Sequence, residues 1–269
     1  MGRGMAHQRQ RQGNSKDHHD ATRRVHTPGA LSPPPGCTVA TSGILVAMDT
    51  ILLIDKPKGI TSAKAVALVK KRIKVKVGHT GTLDPLATGL LIMLTGKRTK
   101  EASSFLHMDK SYVVTAILGM TTTTYDVGGE VVTTCDRPIT REELEAPLKD
   151  FFGEIDQIPP AYSAKKIGGK KAYELARKGI AFDLPASRVR VDALRLTQFD
   201  YPNFTLECDV SSGFYVRSLV HNLGEKLGVG ATVEEVRRVR VGKYAIKDAR
   251  PLDELLDEMS GTDGSTTAR

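Results

Sequence analysis

Apolar residues recur along this chain with two different periods. A short apolar run at Ile51–Ile54 reads as a strand, and the segment after Ser62 sets Ala65, Val66, Val69 and Ile73 at helical spacing. Leu90 to Leu94 reads as a second strand. Tyr112, Val114, Ala116 and Leu118 alternate, as do Phe204, Leu206, Cys208 and Val210, so each set shares one face of a strand. A further strand is expected over 188–199. Thr140 and Glu143 have the spacing of a helix capping box, and Val216, Leu219, Val220, Leu223 and Leu227 form one side of a helix. Strands and helices mix without regular βαβ alternation, which predicts an α+β fold with a mixed, largely antiparallel sheet flanked by helices. No internal repeat is visible.

The same pattern divides the chain. Residues 1–47 show no apolar periodicity and contain the run Pro33-Pro34-Pro35, so a disordered basic tail is expected there, with Met48 a possible alternative start. A catalytic domain is expected over 48–250 and a short acidic tail over 251–269. Of the net charge of +8, half lies in the first 48 residues, which carry six Lys or Arg against two Asp. The remainder is mildly basic, with clusters at Lys64–Lys76 and Lys165–Lys178 that fit a polyanionic partner. Three distant cysteines, Cys37, Cys135 and Cys208, give neither a disulfide framework nor a zinc pattern. With no membrane-length apolar run and no secretory signal core, a reducing cytoplasmic setting is expected. Gly96-Lys97 lacks the glycine spacing and hydroxyl residue of a phosphate loop.

One stretch carries candidate chemistry. Gly78-His79-Thr80-Gly81-Thr82-Leu83-Asp84-Pro85-Leu86-Ala87-Thr88-Gly89 surrounds a single carboxylate with permissive backbone and almost no competing charge. Pro85 biases Asp84 away from helical geometry and so fixes the direction of its side chain. With three further blocks, Ile51–Ser62, Asp109-Lys110-Ser111-Tyr112, and Gly213-Phe214-Tyr215-Val216-Arg217 through Asn222–Gly228 to Arg237-Arg238, this stretch resembles the bacterial type of the TruB family of tRNA pseudouridine synthases. The resemblance spans residues 48 to 245, in the family's order.

The resemblance implies a pseudouridine synthase fold and an isomerase that converts the T-loop uridine of tRNA, conventionally position 55, by base flipping and without cofactor or metal. It implies catalytic roles for Asp84, Tyr112 and Arg217, the arginine pairing with the carboxylate. Tyr215 and Val236 would wall the uracil pocket, His79 would pack where the base has flipped out, and Lys56 would line the same cleft. The stretch 160–188 resembles the family's RNA-gripping insertion, with Lys170 and Lys171 as phosphate contacts. A separate C-terminal RNA-binding domain is expected to be absent. The expected partner is the T-arm of tRNA, bound by a monomer without guide RNA or membrane. Two other readings stand beside this one: an RNA-folding helper with little catalysis, and a guide-RNA-dependent rRNA enzyme.

Overall fold

The computed structural model describes residues 49–261. The expected N-terminal tail therefore lies outside the described residues. In chain order the elements are β1 (Ile51–Lys56), α1 (Ser62–Ile73), β2 (Val77–His79), β3 (Thr88–Thr95), α2 (Ala102–Leu106), β4 (Lys110–Leu118), β5 (Met120–Thr122), β6 (Val131–Thr134) and α3 (Arg141–Glu145). There follow β7 (Gly153–Gln157), β8 (Lys166–Ile167), β9 (Lys170–Lys171), α4 (Ala172–Ala176), β10 (Ser187–Asp200), β11 (Asn203–Val210), α5 (Val216–Leu227), β12 (Ala231–Val241), β13 (Tyr244–Ala245), β14 (Arg250–Pro251) and α6 (Leu252–Gly261).

A ten-stranded sheet runs β14-β1-β3-β12-β4-β11-β10-β7, with β2 on β3 and β13 on β12. All its pairings are antiparallel except β1 with β14 and β12 with β3. The mixed, mostly antiparallel α+β architecture expected from the pattern is thus the one observed.

Local chemistry explains the elements. α1 starts where the Thr61 hydroxyl accepts from the Lys64 amide and ends at Lys74 in the left-handed region, φ 54°. Its Ala65 and Val69 pack onto the sheet beside Leu52, Ile54, Leu91 and Met93, and α5 packs Leu219, Val220 and Leu223 onto the same face. On the other face Ile51, Leu53, Leu90, Ile92 and Leu94 meet Phe105, Val241 and Tyr244. Because β1 and β3 are covered on both faces, they read as continuous apolar runs rather than alternating ones. The capping box at Thr140 and Glu143 is present with both reciprocal bonds, although its α-helix lasts only five residues.

Two elements differ from expectation. The segment expected as an acidic tail forms α6 over Leu252–Gly261, with Leu252, Leu255 and Met259 buried in the core and its acidic residues on the outer side. Apolar positions three and four apart on a short, charge-rich helix outweigh its acidic composition. β12 is an 11-residue central strand that no apolar alternation announced, because Glu234-Glu235, Arg237-Arg238 and two register shifts break its period.

Candidate active site

Asp84 lies in the loop from β2 to β3, and that loop is pinned from several sides. The buried Ser62 hydroxyl accepts from the Leu83 amide at 2.8 Å and donates to the Leu83 carbonyl at 3.0 Å. The Gly59 amide donates to the Pro85 carbonyl, and the Ala87 amide to that of Asp84. Gly89, φ 100°, ends the loop where β3 meets β12, and a Cβ there would stand 2.3 Å from the Arg238 carbonyl oxygen. Only glycine permits that approach.

Arg217, in the first turn of α5, faces this loop. Its Nη2 lies 2.9 Å from Asp84 Oδ2 and donates to the Tyr162 carbonyl at 2.8 Å. Its Nη1 donates to the Thr124 carbonyl at 2.8 Å and lies 3.3 Å from Asp126 Oδ2. The Arg217 side chain is 9% exposed and that of Asp126 13%, whereas Asp84 is 48% exposed. One buried guanidinium thus joins a sequestered carboxylate to an accessible one. Asp126 is held in turn by the Thr124 hydroxyl at 2.7 Å and the Gly128 amide at 3.0 Å. The start of α5 is anchored by Gln157 at the end of β7, whose side chain accepts from the Tyr215 amide at 2.8 Å and donates to the Tyr215 carbonyl at 3.0 Å.

Two cavities meet at this ion pair. The first, about 360 Å³, is bounded by Asp84, Tyr112, Tyr215, Val236, Phe214 and Leu86, among others. The second, about 780 Å³, shares Asp84, Asp126 and Arg217 and opens toward His79, Tyr173, Lys171 and Arg177. Tyr112 is buried at the start of β4, opposite Arg238 of β12. Burial raises its phenol pKa, while the charge and hydrogen bond of Arg238 act in the opposite direction. Arg238 itself is buried and donates to the Leu90 carbonyl at 2.8 Å and the Gly81 carbonyl at 3.2 Å. Burial likewise raises the Tyr215 phenol.

The other sequence candidates divide. His79 lines the second cavity with an unpartnered, buried Nδ1, and burial and then the Arg238 charge lower its pKa, so its ring is neutral at neutral pH. Lys56 is fully buried and lines neither cavity; its Nζ donates to the Pro57 and Ile60 carbonyls at 2.8 Å each. It braces the turn before α1 instead of facing the cleft. Lys171 reaches the cavity rim, with its Nζ 5.4 Å from the centre of the Tyr173 ring. Lys170, next to it on the exposed β8–β9 hairpin, does not.

Asp126 and Gln157 were not singled out in the sequence, and Arg238 entered only as the end of the fourth block, without a role. Asp126 sits just before Gly128-Gly129, where a turn is the ordinary reading, and only the fold brings it beside Arg217. Arg238 offered a signal: an arginine inside a strand flanked by Val236, Val239 and Val241 needs buried acceptors.

The model of the TruB family pseudouridylate synthase N-terminal domain matches residues 68–216, and that of the tRNA pseudouridylate synthase B C-terminal domain matches residues 217–267. The seam falls at Arg217, and the second match includes α6. A tRNA pseudouridine synthase B of Aquifex aeolicus is 46% identical over 212 residues, 78% of this chain and 74% of its own length. That of Chlamydia abortus is 47% identical over 200 residues, 73% of this chain and 84% of its own. Among solved structures, a Cbf5-Nop10-Gar1 complex superposes with a TM-score of 0.64 at 26% identity, over 82% of this chain and 57% of that one. An H/ACA RNP bound to a substrate RNA containing 2'-deoxyuridine gives a TM-score of 0.60 at 26% identity, over 81% of this chain and 56% of that one. Together with the covered length, these identities place the chain in the TruB family of pseudouridylate synthases.

Proposed function

We propose that this chain isomerises the T-loop uridine of tRNA, the position conventionally numbered 55, to pseudouridine, with Asp84 as the essential carboxylate. The observation that carries the reading is Asp84 Oδ2 held 2.9 Å from a buried arginine at the junction of two cavities. The reaction breaks the bond from ribose C1' to N1 of uracil and forms one from C1' to C5. The proton on C5 is lost and N1 gains one, so the composition does not change. Such a step needs a positioned carboxylate, a pocket for the detached base, and removal of that base from the stack.

The residues divide this work. Arg217 engages one oxygen of Asp84, leaving the other for substrate, and fixes the carboxylate's direction. Tyr112, Tyr215, Phe214 and Val236 give the first cavity flat apolar walls of the kind a pyrimidine ring stacks against. Tyr112, with its phenol pKa raised by burial, faces the base as a neutral ring. In the second cavity a neutral His79 packs where the extruded nucleotide leaves space, and Lys171 and Arg177 meet the phosphates. Relatives named for tRNA, at 46 and 47% identity, favour a tRNA substrate without guide RNA over the reading drawn from the 26% identical Cbf5 chain.

The test is incubation of the purified chain with an unmodified tRNA transcript, followed by single-nucleotide mapping of pseudouridine, beside Asp84→Asn. Modification at the T-loop uridine with the wild type and none with the variant is expected. Modification elsewhere would keep the chemistry and overturn the substrate. Tight binding with no modification by either would favour the RNA-folding reading.

A further inference from the structure

Three consecutive residues, Thr124, Tyr125 and Asp126, lie along two successive turns of α5. Thr124 and Asp126 grip Arg217 through a carbonyl and a carboxylate. Between them, the Tyr125 ring stacks on His221, one helical turn beyond Arg217, with ring centres 3.7 Å apart and planes 9° from parallel. That is close for an aromatic pair. Tyr125 holds φ 63°, a left-handed conformation uncommon for a bulky side chain and persistent only where the surroundings determine it.

Other contacts tie the backbone to β12 and reach α5 only through that strand. The Val233 amide donates to the Tyr125 carbonyl, the Val127 amide to that of Val233, and the Thr122 hydroxyl to that of Asp126. These tie the segment to β12 and to itself. Besides the bonds to Arg217, the stacked pair sets it directly against the helix. His221 has no better use elsewhere: its Nδ1 is buried without a partner, and its Nε2 stands 3.5 Å from Glu225. Burial lowers the His221 pKa and raises that of Tyr125, so two neutral rings face each other.

We infer that Tyr125 and His221 are positioning residues for the isomerisation: their stack locks residues 124–126 onto α5, and so aims Arg217 at Asp84. This rests on the pseudouridine synthase reading. Neither ring lines either cavity, so the pair's route to the site runs through Arg217. The pair's contribution should appear in turnover and not in RNA affinity.

The variants are His221→Ala, His221→Phe, Tyr125→Ala and Tyr125→Gly. Single-turnover rate and RNA Kd are measured for each, together with the NMR signals of the Arg217 guanidinium, whose rotation is slow while all its acceptors hold it. Removing either ring is expected to lower the rate by roughly three- to tenfold, about what one aromatic pair is worth, with Kd unchanged. His221→Phe should restore most of the rate, since it keeps the flat face. Tyr125→Gly relieves the left-handed backbone, so it should be at least as heat-stable as Tyr125→Ala while remaining as slow. Sharp, restricted Arg217 signals should broaden or average in the two alanine variants and in Tyr125→Gly. Rates that follow thermal stability instead of ring stacking, or unchanged rates and Arg217 signals in His221→Ala and Tyr125→Gly, would overturn the inference. A wild type without turnover would refute the proposed function, and the Arg217 signals would still decide this one.

Discussion

Replacing Lys56 by Met tests the charge buried beneath the Asp84 loop. Lys56 is fully buried at the end of β1. Its pKa falls from 10.5 to about 8, chiefly through burial, with Asp84 opposing that shift and Arg238 adding to it. The folded value lies below the unfolded one. Below pH 8 both states hold the proton, and the fold bears the full cost of a buried ammonium. Between pH 8 and 10.5 the unfolded chain keeps a proton that the folded chain has shed, so stability rises with pH across that window. At about 1.4 kcal/mol per unit, the whole shift corresponds to about 3 kcal/mol. The carbonyls of Pro57 and Ile60, which hold the proton in place, make this a ceiling. In the variant those carbonyls lose their donor, at about 1–3 kcal/mol each, but that loss does not depend on pH. Lys110, whose pKa burial also lowers to about 8, is present in both proteins and cancels in the comparison. Urea unfolding of wild type and Lys56→Met, from near neutral to strongly alkaline pH, should show the wild type gaining up to about 3 kcal/mol on the variant. Two parallel curves would mean that this proton is not linked to folding.

Arg217→Lys keeps the charge, but one ammonium cannot reach Asp84, Asp126 and the carbonyls of Thr124 and Tyr162 together. With charged hydrogen bonds worth about 1.5–3 kcal/mol each, loss of one or two predicts a single-turnover rate down by about tenfold or more; a near wild-type rate would remove the network from the mechanism. Gly89→Ala places a methyl group against the Arg238 backbone at φ 100° and should cost about 3 kcal/mol or more, seen as a melting temperature lower by about 6–12 °C. An unchanged melting temperature would contradict the close approach of β3 to β12. Lys171→Ala should reduce the salt slope of RNA binding by about 0.7–0.9, one phosphate contact, while Lys170→Ala should leave it nearly unchanged; equal effects would place both lysines on the RNA.

The sequence announced those parts of the fold whose environment is uniform along an element. β4 and β11 each bury one face, so they alternate; α1 and α5 each bury one stripe, so their apolar residues recur at helical spacing. β12 was missed because it does two jobs at once. Its Val233, Val236 and Val241 fill the core, while Arg238 turns inward to the carbonyls of Leu90 and Gly81, so no single period survives. α6 was missed because four acidic residues on its outer side outweighed three buried apolar ones. In the site, Asp84 was legible because its loop is unusual by itself. Asp126 was not, since nothing local distinguishes a carboxylate that will meet Arg217, 91 positions away, from one that ends a turn.

That difference follows from how the site is assembled. The groups that converge on Arg217, the carboxylates of Asp84 and Asp126 and the carbonyls of Thr124 and Tyr162, come from the β2–β3 loop, the turn after β5 and the segment before β8. Separate bonds hold these parts: Leu83 next to Asp84 by Ser62, Asp126 by Thr124 and Gly128, and the start of α5, which carries Arg217, by Gln157. Local motifs therefore shape these parts, but only the assembled sheet brings them within hydrogen-bond range. A carboxylate aimed this way is oriented only in the folded chain. Mutations that open the β3–β12 junction at Gly89 should then disturb the site through Arg238 and Tyr112 while leaving Asp84 itself untouched.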